Sequence, residues 1–87
     1  MARFFVEAFH TNEDCVEHLD SMMAVSHEML NRFDWGCKGG QHVGLAVLEA
    51  QDEATLRRML PTTIRGRARV VPLNKFSVDD VKSFHQD

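Results

Sequence analysis

Cysteine is scarce in this chain, with only Cys15 and Cys37 among 87 residues. Two thiols in segments of different kind do not make a disulfide framework. Also missing is any run approaching the roughly 20 apolar residues that a membrane span needs. Residues 1 to 9 lack a basic region followed by an apolar stretch long enough for a signal peptide. A reduced, cytoplasmic protein with no membrane partner is the expectation. An excess of positive charge is lacking too: the net charge of −3 speaks against general nucleic-acid affinity. Disorder is not expected, because 44% hydrophobic residues beside 26% charged ones is an ordinary globular composition.

What is there is enough for a single small domain over residues 1–87. Domains of this size bury only roughly 60 to 65% of the surface their unfolded chains expose, so self-association is expected to complete the core. Charge is unevenly placed. Arg57, Arg58, Arg65, Arg67, Arg69 and Lys75 occupy a stretch without an acidic residue, whereas Glu7, Glu13, Asp14, Glu17, Asp20 and Glu28 make the first third mostly acidic. Two solvated, mutually complementary faces explain this pattern, and a site for an anionic substrate is the alternative.

The organising stretch runs from Asp34 to Ala50. It holds the sole Trp, one of the Cys and four of the five Gly, and its polar turn feeds directly into a β-type run. That is a hairpin signal, and this turn also carries a thiol, Cys37, and an imidazole, His42.

Period-2 alternation over residues 3 to 10 places Phe4, Val6 and Ala8 on one apolar face and Arg3, Phe5, Glu7 and Phe9 on a mixed one. Such a mixed face suits a cavity wall or a subunit interface. Capping residues and acids at Thr11-Asn12-Glu13-Asp14 predict one helix to about Phe33. Its apolar arc, about 140° wide, takes in Cys15, Val16, Leu19, Met22, Met23, Met29, Leu30 and Phe33, with only Ser26 interrupting it. The methionines fit core filler better than a copper-thioether box. His18 and His27 flank the arc.

A short second strand is expected around Trp35 to Cys37. In the third, Val43, Leu45 and Val47 point one way and His42, Gly44, Ala46 and Leu48 the other. Glycine and alanine there leave room for a ligand beside Phe5, Glu7 and Phe9. Asp52-Glu53 opens a second helix, which buries Leu56, Met59 and Leu60 and stops at Pro61. A loop over 62–66 leads to a fourth strand over 67–76, whose Pro72 marks an edge or bulge. Ser77-Val78-Asp79-Asp80 starts a short tail helix. The order β-α-β-β-α-β is the ferredoxin-like α+β arrangement: a four-stranded antiparallel sheet with two helices on one face, and the other face open to a partner.

Several residues carry a resemblance: Trp35, the Gly40-x-His42 step, Val47-x-Glu49-Ala50, the helix start Asp52-Glu53-Ala54-x-Leu56, and Leu60-Pro61. In these the chain resembles the dimeric α+β barrel superfamily, and within it the muconolactone isomerase-like proteins. The resemblance spans about residues 33 to 75 and implies a homodimer, or a larger assembly, whose sheets enclose a cavity. The superfamily includes isomerases, cofactor-free monooxygenases, dehydratases and nickel-binding proteins, so fold leaves function open. The turn Cys37-Lys38-Gly39-Gly40 departs from the isomerase pattern, and no family catalytic residue carries over.

Three functions follow as expectations. In the first, a homodimer with no cofactor binds a small organic ligand between its sheets, through Phe5, Phe9, Trp35, Gly44, Ala46 and Arg69. Proton transfer of the isomerase or lyase kind would use Glu7, His10 and His42, since an apolar cavity favours the neutral form of a carboxylic acid. Its plain alternative is an ion pair of Glu7 with Arg3 or Arg69. In the second, Cys37 and His42 at the two ends of a tight turn bind a transition metal (nickel, zinc or copper) with His10, His18 or a second subunit. A small buried thiol beside a strand-end histidine is the plain reading of that pair, and a nucleophilic or redox Cys37 is a further one. The third function is an assembly or regulatory subunit without a site of its own.

Overall fold

The computed structural model describes residues 1–85. Its elements are β1 (Ala2–Phe9), α1 (Cys15–Val25), α2 (His27–Arg32), β2 (Asp34–Trp35), a 3-10 turn (Cys37–Gly39), β3 (Val43–Ala50), α3 (Glu53–Met59), α4 (Thr62–Arg65), β4 (Arg69–Leu73) and α5 (Val78–Ser83). The strands form one antiparallel sheet in the order β2-β3-β1-β4, consistent with a ferredoxin-like fold. No described helix is long and apolar enough to cross a membrane.

Alternation in β1 behaves as its sequence predicts. Phe4, Val6 and Ala8 are buried under the helices, and they stand opposite Leu48, Ala46 and Gly44 of β3. Directly opposed residues share a face. Gly44 and Ala46 therefore lie beneath the helices and not beside Phe5, Glu7 and Phe9, as the cavity expectation required. Their places on the bare face are taken by Val43, Leu45 and Val47, with Arg69 and Val71 of β4 across from Glu7 and Phe5. Alternation separates the two faces of β3, and the pairing register decides which of them meets the helices.

The core is sealed by Val6, Met22, Leu48, Leu56 and Leu60. Burying side chains of this size contributes about 1.5–3 kcal/mol each. The single helix expected from Thr11 to Phe33 is two. Ser26 adopts extended backbone (φ −171°, ψ 151°), and its hydroxyl accepts from the Met29 amide at 2.8 Å, ending α1 and capping α2. The buried stripe of α1 runs through His18 and Met22, while Val16 and Met23 face water.

The expected loop over 62–66 contains one helical turn, α4, started by Pro61 and anchored by buried Ile64. Arg65 donates from Nε to the Arg57 carbonyl at 2.8 Å and from Nη2 to those of Leu60 and Arg58 at 3.0 and 3.1 Å. Arg57 donates in return to the carbonyls of Arg65 and Ala68 at 2.7 and 3.1 Å. Part of the basic stretch thus satisfies helix-end carbonyls rather than awaiting an anion. The fourth strand is shorter than expected, and Pro72 sits on its edge position as predicted. The tail helix α5 opens with a full capping box between Ser77 and Asp80. Its Val78, Val81 and Phe84, with Phe76, are exposed, and the molecule extends to 53 Å along its longest axis.

Candidate metal centre

The ladder between β1 and β3 continues one step past Phe9 and Val43: the His10 amide donates to the His42 carbonyl at 3.2 Å. His10 and His42 become cross-strand neighbours at the end of the sheet, with ring centroids 5.3 Å apart. The chain then turns at Thr11–Asp14 and begins α1 at Cys15, which returns over the same end.

From the other side comes the 3-10 turn after β2. The Gly36 amide donates to the Val43 carbonyl at 3.0 Å, and the Gln41 amide donates to the Gly36 carbonyl at 3.1 Å. A Cβ on Gly36 would meet the Gln41 carbonyl oxygen at 2.7 Å, so only glycine lets this turn close. Gly40 sits at φ 90°, where side chains are strained. The closed turn presents Cys37, whose Sγ is 3.2 Å from His10 Nε2.

Four donors result, one from each of His10, Cys15, Cys37 and His42, all within 4.8 Å of one another. In a filled tetrahedral site the ligand atoms would stand about 3.3 to 3.8 Å apart, given zinc–sulfur and zinc–nitrogen bonds near 2.3 and 2.0 Å. Closure therefore asks for a contraction of about 1 Å.

Electrostatics ready the imidazoles but not the Cys37 thiol. Burial, then the neighbouring His42 and Arg67, hold the His10 imidazole below its usual pKa, with Asp14 opposing them. Behind His10 lies His18, its ring centroid 4.5 Å away, and burial, then His10 and Arg67, lower its pKa to about 4. Both rings are thus neutral at pH 7, each with a lone pair available. Burial, then a hydrogen bond that the Cys37 thiol donates to Cys15, raises the Cys37 thiol above its ordinary value, which opposes the thiolate form that binds metal. His10 Nδ1, His18 Nε2 and His42 Nδ1 are buried with no hydrogen-bond partner. A buried polar atom left unmatched costs about 1–3 kcal/mol.

No known protein family, curated protein or solved structure matches this chain. What the site can do therefore rests on its own geometry.

Of the predicted metal set, Cys37, His42 and His10 are brought together, and His18 packs behind them. Cys15 takes the fourth place. Sequence reasoning assigned it to the apolar arc; the missed signal is that it opens the helix only five residues after His10, at the same end of the sheet. Glu7 is not with the histidines. It pairs with Arg69 on the bare face, beside Phe5 and Phe9. Trp35 is on the helix side, and its Nε1 donates to the Leu30 carbonyl at 3.4 Å. With Leu19, Phe33, Asp34, Lys38 and Cys37 it lines an open apolar groove of about 390 Å³.

Proposed function

We propose that this protein is a transition-metal-binding module that holds one cation between His10, Cys15, Cys37 and His42. The observation that carries it is the convergence of two thiols and two imidazoles within 4.8 Å of one another, from four separate points of the chain. Soft sulfur with imidazole nitrogen favours zinc, copper or nickel over magnesium or calcium. Four protein donors leave no vacant position, which suits holding or passing on a metal better than Lewis-acid catalysis.

Elemental analysis of the purified protein, followed by zinc titration of the metal-free form, tests this. One equivalent per chain is expected, lost in Cys37→Ser and His42→Ala. A wild-type chain that takes up neither zinc, nickel nor copper(I) ends the reading.

A second reading draws on the opposite face of the sheet. Phe9 and Val47 are 51% and 55% exposed there, and a second copy laid on that face would cover them and complete a dimeric α+β barrel. A small organic ligand between the sheets would then meet Phe5, Glu7, Phe9 and Arg69, with Leu45 and Val47 in place of Gly44 and Ala46. Proton transfer of the isomerase kind would have to free Glu7 from Arg69 and proceed without His10 and His42. Sedimentation at micromolar concentration tests the pairing, and a monomer rules it out.

A further inference from the structure

We propose that Cys15 and Cys37 close into a reversible disulfide that evicts the metal, with a small organic disulfide that reaches Cys37 as the oxidant. The eviction rests on the metal reading above; the disulfide itself does not.

Three observations support the pair. The two sulfurs are within 4.8 Å of each other and both thiols are free, so closing them to the roughly 2.05 Å of a disulfide needs at most about 3 Å of approach. Both sulfurs lie next to exposed chain: Cys15 follows the exposed residues Thr11–Glu13, and Cys37 opens a turn whose residues Lys38 to Gln41 are exposed. The groove lined by Leu19, Phe33 and Trp35, with Asp34 and Lys38 among its residues, includes Cys37 but not Cys15. Both thiols are part-exposed, but only Cys37 borders the groove. Cys37 can meet an incoming molecule, and Cys15 is placed to resolve it.

The chemistry balances. The Cys37 thiolate attacks one sulfur of the external disulfide, forming a mixed disulfide and releasing one small thiol. Cys15 then attacks the Cys37 sulfur, forming the internal disulfide and releasing the second small thiol. Two protein thiols are oxidised and one external disulfide is reduced to two thiols. The product keeps only His10 and His42 as donors, too few for a closed site. A small thiol in excess reverses both steps.

Glutathione disulfide is the probe, applied first to metal-free protein and read by intact mass. Wild type is expected to lose two hydrogens without accumulating an adduct. Cys15→Ser is expected to stop as a stable adduct on Cys37, and Cys37→Ser to react at least about tenfold more slowly than Cys15→Ser. Equal rates for the two variants, or a wild-type adduct that persists, would overturn the proposal. Zinc-loaded protein is then treated and free zinc read with a chromophoric chelator. Release matching disulfide formation, reversed by dithiothreitol, is the expected result, and retention of zinc after closure overturns the eviction. Closure in a chain that binds no metal would sink the metal reading alone and leave the disulfide standing.

Discussion

The six-membered ring of Trp35 covers Gly44 so closely that a Cβ on Gly44 would lie 2.6 Å from Trp35 Cζ3. The two residues are paired across β2 and β3, and the turn that carries Cys37 starts two residues after Trp35. Gly44→Ala should therefore push the indole outward, cost about 1–3 kcal/mol in urea unfolding, and loosen zinc binding. Tryptophan fluorescence reports the ring, and chelator competition reports the metal. A variant with altered emission but wild-type affinity would show that the ring moves without disturbing the turn, and unchanged emission would show that the ring does not move at all.

Arg65 and Arg67 differ by two positions and by everything around them. Arg65 caps three carbonyls at the end of α3, whereas Arg67 is exposed with no side-chain hydrogen bond among the described residues. Arg65→Met should lower stability by about 1–2 kcal/mol, because two part-buried carbonyls and one exposed one lose a charged donor. Arg67→Met should change it by less than about 0.5 kcal/mol. Paired denaturation curves decide; equal losses would mean that the carbonyls find other partners.

How much of this was legible in the sequence depends on the range of the interaction involved. The alternation of Phe4, Val6 and Ala8, the Asp52 cap and the Ser77–Asp80 capping box are local, and each stands where the pattern puts it. The register that sends Gly44 and Ala46 under the helices is not local. Neither is the meeting of Cys15 with Cys37, since it depends on a strand end, a helix start and a hairpin turn reaching one corner of the sheet. Cys37, His42 and His10 were legible as candidates because the turn and the strand end are short-range features. Cys15 was hidden because a thiol on an apolar arc reads as core.

Ser26 interrupts an otherwise apolar arc, and its hydroxyl caps α2 at 2.8 Å. Ser26→Ala should cost about 1 kcal/mol, the usual loss of an N-cap, with little change in helix content at low temperature. Thermal unfolding followed by circular dichroism measures it. Ser26→Asp should recover most of the loss, since a carboxylate also accepts from the Met29 amide. Failure of the aspartate variant to recover would point to the backbone bend, rather than the cap, as what Ser26 supplies.

His18 links the corner to acidity. Its pKa falls from 6.5 to about 4 on folding, chiefly through burial, so between those values the unfolded chain binds a proton that the folded chain refuses. Stability from this group is complete above pH 6.5, declines as pH falls toward 4, and is flat below that. A loss on the order of 1–3 kcal/mol is expected across the window for metal-free protein. Urea midpoints at pH 7 and pH 5 measure it. His18→Leu, which replaces the buried and unpartnered Nε2 with methyl groups, should flatten the slope and leave only the smaller share due to His10. An unchanged slope in that variant would place the titrating group elsewhere.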